Sequence, residues 1–131
     1  MSKYYYPAIF TEEKNGYSVT FPDLEGCFTC GDDLQDSLTM ATDVLSCYLC
    51  DCEIEARVLP KPSDLKLLKT GRNEFASYII CDTDEYKRKY RKVAVKKTLT
   101  IPEWLNEAAL VRNVNFSQVL QDALLEIVNQ N

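Results

Sequence analysis

The chain has 131 residues, of which 46% are hydrophobic, enough for one ordinary domain and a small second one. No apolar run approaches the roughly 20 residues that cross a membrane, and the N-terminus lacks the apolar core of a signal peptide, so we expect a cytoplasmic protein. The net charge of −5 excludes a uniformly basic nucleic-acid binder, and the lack of histidine removes the commonest general base of enzymes.

The first 30 residues contain three predicted strands. Residues 4–11 and 17–21 have strand-like patterns, and Asn15 and Gly16 between them are typical of a hairpin turn, so the two strands should pair. Residues 27–30 predict a third strand. The first two strands carry no carboxylate at 4–10 or 17–21, whereas two-metal nuclease chemistry needs several converging carboxylates. We therefore expect a binding protein and not an enzyme.

A long helix follows the third strand. Asp33 closes a turn and can cap the helix, after which apolar residues recur at helical spacing. These residues are Leu34, Leu38, Ala41, Leu45, Tyr48, Leu49 and Cys52. Prolines break the chain at 59–64, and residues 74–82 predict a fourth strand that is apolar on both faces and therefore buried. The order β-β-β-α-β indicates an α+β domain, residues 1–86, with one sheet and one main helix.

Four acidic residues lie in the predicted loops beside the sheet. They are Asp23, Glu25, Asp32 and Asp33. An acidic face of this kind would attract a basic protein partner and speed its association. The alternative is that these side chains are turn and cap residues at a solvated rim.

The six cysteines include two CxxC pairs, Cys27 with Cys30 and Cys47 with Cys50. Their spacing falls within a zinc-site template. However, the first pair lies an odd step apart on a predicted strand and the second lies within the helix, so the four thiols should not converge as a tetrahedral site requires. We expect reduced thiols and no metal.

Charge is distributed unevenly along the chain. Residues 1–90 hold 16 acids and 10 bases, whereas residues 91–131 hold four acids and five bases. Asp82 can begin a capped helical turn that leads into a basic linker at 87–92, and seven of the eleven residues 87–97 are basic. This basic stretch would attract the phosphates of DNA. The alternative is a solvated basic linker.

The segment after the linker alternates between apolar and polar residues. Val93, Val95, Leu99 and Ile101 share one face of a predicted strand, and Lys96, Thr98 and Thr100 share the other. Pro102 ends the strand and begins a first helix. Asn113 suits the turn, and Asn115 with Gln118 predicts an N-cap and capping box for a second helix through Val128.

A nine-residue strand without a nearby partner leaves its backbone donors unpaired, and the segment is too short to bury a core. A second copy would supply both needs, through an antiparallel two-stranded ribbon that fits the DNA major groove. We expect a dimer, which a second contact through the acidic domains would extend to a dimer of dimers.

Residues 96–102 and 115–120 resemble the ribbon-helix-helix repressors, the class containing Arc and MetJ. The resemblance places this domain at 93–131 and implies that Lys96, Thr98 and Thr100 contact bases. It also implies that the backbone of Asn115, Phe116 and Ser117 binds a phosphate. Lys92 and Lys97 are further expected phosphate contacts. A dimerisation module without DNA binding is the alternative.

Residues 6–10, 16–24 and 26–27 resemble the HicB antitoxin family, and the likeness continues at 31–32 and 60–63. It implies an N-terminal domain with a partial ribonuclease H-like fold that inactivates HicA, a small toxin that cleaves messenger RNA. It also implies that the DNA-binding end represses the operon as a dimer on a palindromic operator. No cofactor is implied.

Two other functions stay open at this point. The first is a ribbon-helix-helix repressor whose N-terminal domain senses a small ligand, although the chain lacks histidine for a nickel site and a glycine-rich phosphate loop. The second is a metal-stabilised interaction module built on the cysteines.

Overall fold

The computed structural model describes residues 2–130, and the chain divides after Val93 into two compact units. The first unit consists of β1 (Lys3–Glu13), β2 (Gly16–Thr20), β3 (Phe28–Gly31), α1 (Leu34–Ile54), a 3-10 turn (Leu65–Leu67), β4 (Glu74–Asp82) and α2 (Thr83–Tyr90). The second contains α3 (Glu103–Val111) and α4 (Phe116–Val128). Among residues 2–130, no helix has both the length and the apolar character that a membrane crossing requires.

The first unit has one four-stranded antiparallel sheet with the strand order β3-β2-β1-β4. The predicted pairing of the first two strands is confirmed, and so is the order β-β-β-α-β. The hairpin loop is Lys14–Asn15, one residue before the predicted turn, because Glu13 pairs with Gly16. Gly16 has φ +141°, and a Cβ at this position would lie 2.1 Å from the carbonyl oxygen of Gly31. Glycine is therefore required where β2 begins beside β3.

Helix α1 covers one face of the sheet and forms the core with it. Asp33 is its N-cap, as predicted, with Oδ1 accepting a hydrogen bond from the Asp36 N–H at 2.7 Å. The core consists of side chains that face each other across this interface. They are Tyr6, Ala8, Phe10, Val19, Phe21, Leu24, Cys27, Ala41, Leu45, Leu49, Ile79 and Cys81.

Strand β4 lies at the edge of the sheet, and only one of its faces is buried. Ile79 and Cys81 point into the core, whereas Ile80 is 71% exposed. The predicted burial on both faces is therefore wrong, because α1 covers only one side of the sheet. On the other side Tyr5, Tyr78 and Ile80 are exposed. We refer to this side of the sheet as the open face.

The segment between α1 and β4 passes from the helix side of the sheet to the open face. On the helix side, the Tyr6 hydroxyl donates to the carbonyl oxygen of Pro60 at 2.6 Å. On the open face, the Leu65 N–H donates to the Tyr78 hydroxyl oxygen at 2.9 Å. These two contacts fix where the proline-containing segment crosses the sheet.

The second unit has the predicted pair of short helices. Asn113 adopts φ +56°, and the Asn115 side chain accepts from the Gln118 N–H at 3.1 Å, so the predicted turn and N-cap are confirmed. The return bond of the capping box is absent, because the Gln118 side-chain amide donates to Asp122 at 2.9 Å instead. Not one of the described residues 94–130 is buried.

Residues 91–102 form neither helix nor strand in one copy of the chain. A strand requires a hydrogen-bonded neighbour, and the predicted neighbour is a second copy. The ribbon therefore stays a prediction. Helix α2 extends to Tyr90, so the first four residues of the predicted linker 87–92 are helical.

Candidate functional site

The four acidic residues predicted to meet a partner have different local roles. The Asp23 carboxylate accepts hydrogen bonds from the backbone N–H of Ser63, at 2.9 Å, and from the Ser63 hydroxyl. These bonds tie the loop after β2 to the segment after α1. Asp33 caps α1 with its side chain. Both carboxylates therefore already stabilise the fold.

Glu25 and Asp32 carry the other two predicted carboxylates, and both residues are exposed. Each is held through its backbone: the Glu25 carbonyl accepts from the Tyr48 hydroxyl at 3.0 Å, and the Asp32 N–H donates to the Asp36 carboxylate at 2.9 Å. Such backbone anchoring fixes the position of the residue without using its carboxylate. These two carboxylates best fit an acidic contact surface.

Glu53, near the end of α1, is a polar hub that the sequence did not reveal. Its carboxylate accepts from the Tyr4 hydroxyl at 2.7 Å, the Thr83 hydroxyl at 3.1 Å and the Lys87 ammonium at 2.9 Å. The contacts join α1 to the first strand and to α2. The donors lie 30 to 49 residues away in sequence, so no local pattern indicates them.

These contacts shift the pKa values of Glu53, Tyr4 and Lys87. Partial burial acts to raise the pKa of Glu53, but the hydrogen bonds from Lys87, Tyr4 and Thr83 outweigh it and hold that pKa below its ordinary value. The hydrogen bond to Glu53 raises the pKa of Tyr4 to about 12 and also raises the pKa of Lys87. The ionised carboxylate with a protonated lysine is therefore the stable state of the hub.

Two of the seven bases in residues 87–97 are engaged within the first unit. Lys87 contacts Glu53, and Arg91 lies 2.7 Å from the Asp51 carboxylate. The expectation that the whole stretch serves phosphates is corrected accordingly. The other five bases of this stretch form no ion pair with residues 2–130: Arg88, Lys89, Lys92, Lys96 and Lys97.

All six cysteines are free thiols. Cys27 is buried and Cys30 is exposed, so this pair points to opposite sides as its strand spacing predicts. Desolvation on burial raises the pKa of Cys27 to about 12 and that of Cys81 to about 11, which disfavours their thiolate forms. Within residues 2–130, no three His, Cys, Asp or Glu side chains come together as metal ligands.

The predicted DNA contacts lie on the surface of the second unit. Lys96, Thr98 and Thr100 are exposed, as are Lys97 and, just before the unit, Lys92. Asn115, Phe116 and Ser117 occupy the start of α4, where the first backbone N–H groups have no partner within the helix. This is the geometry in which a helix end binds an anion.

We refer to residues 91–102, which precede α3, as the extended segment. An apolar groove of about 500 Å³ runs between this segment and α4. It is lined mainly by Leu99, Ile101, Phe116, Val119, Leu120 and Ala123. Val95, which precedes the groove on the same predicted strand face, is 78% exposed. The second unit thus presents its apolar side chains to solvent instead of enclosing them.

The family of the chain follows from its sequence as a whole. A family model described as the HicB-like antitoxin of bacterial toxin-antitoxin systems matches residues 5–123. The chain belongs to this family. The match spans both units, so the HicB-like assignment covers the sheet domain and most of the helical pair.

The chain is also similar to chains of two solved complexes and to one curated protein. A toxin-antitoxin complex from Streptococcus pneumoniae has a chain 29% identical to this one, with a TM-score of 0.63, over 95% of this chain and 98% of that one. A chain of a HicA3 and HicB3 toxin-antitoxin complex shares the fold of 60% of this chain, at 22% identity and a TM-score of 0.51, with 99% of that chain covered. An uncharacterised 14.9 kDa protein of Haemophilus phage HP1 is 26% identical over 100 residues, which are 76% of this chain and 74% of that protein.

Proposed function

We propose that this HicB-like protein binds and neutralises a HicA-like toxin through its first unit. The family match and the complex from Streptococcus pneumoniae support the proposal. The first unit also offers Glu25 and Asp32 as exposed carboxylates, and an RNA-cleaving toxin needs a basic surface for its substrate. Neutralisation by covering that surface requires binding and no catalysis.

Co-expression tests the toxin-binding proposal. We expect the neighbouring gene to encode a small basic protein that arrests growth when expressed alone, and this chain should restore growth and co-purify with it. Restored growth without a complex, or a complex that leaves growth arrested, would contradict neutralisation by binding.

We also propose that the second unit pairs with that of another copy and binds operator DNA, so that the protein represses its own operon. The observation that carries this proposal is that residues 94–130 contain no buried residue, while an apolar groove of about 500 Å³ lies open. A unit of this size without a core is not stable alone. A second copy would fill the groove and would also satisfy the backbone of the extended segment.

In the proposed dimer, one face of the predicted ribbon would pack against the helices and the other would contact DNA. Leu99 and Ile101 line the groove, so by strand alternation Lys96, Thr98 and Thr100 would lie on the opposite face of the predicted ribbon, toward DNA. The free bases Lys92 and Lys97 and the start of α4 would bind phosphates. A palindromic operator matches the two-fold symmetry of such a dimer.

A further inference from the structure

The open face combines exposed aromatic rings with a cleft beside them. Tyr5 and Tyr78 meet edge to face, with ring centroids 5.3 Å apart, and Tyr5 is 53% exposed. Together with Lys3 and Ile80 they line a cleft of about 290 Å³. An edge-to-face contact covers one face of one ring only, whereas stacking covers one face of each ring.

A basic segment reaches the same face after leaving the helix side at Pro60. Residues 60–73 contain four bases and one acid, and all four bases are exposed: Lys61, Lys66, Lys69 and Arg72. The hydrogen bond from Leu65 to Tyr78 places Lys66 next to the aromatic pair. Farther along, the Gly71 N–H donates to the Glu74 carboxylate at 2.8 Å, which keeps the segment beside β4.

The acids near this surface form no ion pair with the four bases. The Glu74 carboxylate accepts from Thr11 and Gly71, Asp82 caps α2, and Asp64 caps the 3-10 turn. Within residues 2–130 none of the four bases has a carboxylate within 4.0 Å. Residues 60–73, with four bases and one acid, thus carry a net charge of +3 on a protein whose net charge is −5.

We propose that the open face binds single-stranded RNA. Base stacking on Tyr5 beside the cleft, with phosphates near Lys66 and Lys69, is the arrangement that sheet-based RNA-binding domains use. A single strand is required because paired bases hide their faces. We expect a basic toxin to bind near the exposed carboxylates of Glu25 and Asp32 and not beside these bases, because like charges repel.

Fluorescence anisotropy with the full chain tests the proposal, using a labelled unstructured 12-nucleotide RNA. Tyr5→Leu should weaken binding about tenfold, whereas Tyr5→Phe should retain it. The double variant Lys66→Ala/Lys69→Ala should weaken binding and flatten its salt dependence. The matched controls are Tyr90→Leu, at a tyrosine with the same 53% exposure on α2, and Lys14→Ala in the hairpin loop. Both should bind like the parent, and thermal unfolding should show that every variant is folded.

A double-mutant cycle tests stacking directly. An abasic nucleotide at the stacking position of the RNA should weaken binding by the parent and have little further effect on Tyr5→Leu. Three results would overturn the proposal: tighter binding of the matched DNA strand or duplex, loss of binding only in Lys96→Ala/Lys97→Ala, or loss of toxin binding in Tyr5→Leu with RNA binding unchanged. The second result would place the RNA on the basic segment before α3, and the third would make the open face a toxin contact.

Discussion

Glu53 is the residue that connects the sheet, the main helix and α2. It is half-buried and accepts three hydrogen bonds, from Tyr4, Thr83 and Lys87. Removing the Glu53 carboxylate leaves all three donors without their acceptor. Such a loss costs more stability than the loss of an exposed ion pair. Glu53 therefore matters for the stability of the first unit, although it lies outside every predicted contact set.

Replacing Glu53 by glutamine should lower the free energy of unfolding by about 1–2 kcal/mol at neutral pH. Because the pKa of Glu53 is lowered in the folded state, the stabilisation by its ionised form is fully present above its ordinary value of 4.5. This stabilisation is lost as the pH falls through the lower, folded-state pKa. Urea unfolding at several pH values measures it, with the exposed Glu55→Gln as control. A difference between parent and Glu53→Gln that grows as the pH falls to about 3 would contradict the account.

The free carboxylates of Glu25 and Asp32 should speed the association of a basic toxin. Neutralising both, in Glu25→Gln/Asp32→Asn, should reduce the association rate constant several-fold at low salt, and the reduction should shrink as salt is added. Stopped-flow or surface-based kinetics gives the rate. The matched control is Asp84→Asn/Glu85→Gln on α2, which removes the same charge elsewhere. An equal reduction in the control would show only a net-charge effect.

Among the elements, those set by local patterns were predictable. The hairpin and α1 follow from strand alternation, a turn and an aspartate cap, all within a few residues of one another. The burial of β4 on both faces was mispredicted because α1 covers only one side of the sheet. The apolar residues of β4 on the open face are exposed beside Tyr5. The extent of α2 and the ion pairs of Lys87 and Arg91 depend on α1, some 34 to 40 residues away, and no spacing rule indicates such partners.

The apolar groove of the second unit is the predicted site of contact with a second copy. Leu120 lines it and is among the less exposed residues of α4, so its side chain should be buried by a second copy. Leu120→Ala removes this contact twice in a symmetric dimer and should raise the dimer dissociation constant at least a hundredfold. Analytical ultracentrifugation measures the constant. Gln121→Ala, at the neighbouring exposed polar residue, should leave it unchanged; a monomeric parent would contradict the pairing.

At the scale of the whole molecule, charge and burial divide the chain in the same place. The first unit has a buried core and a net negative charge, whereas residues 94–130 include no buried residue and follow a segment of free bases. In the sequence, the charges and the apolar patterns change near residue 90. The sequence did not predict which carboxylates stay free, since Asp23 and Asp33 form their hydrogen bonds only in the folded chain.

The central claim is that toxin neutralisation and operator binding are separate activities of the two units. Its most direct test measures both activities on one variant, Lys96→Ala/Thr98→Ala, in the full chain. Operator binding in a mobility-shift titration should weaken at least tenfold, because two base contacts are lost in each copy. Rescue of growth from the co-expressed toxin should equal that of the parent. Equal loss of both activities, or unchanged operator binding, would contradict the claim.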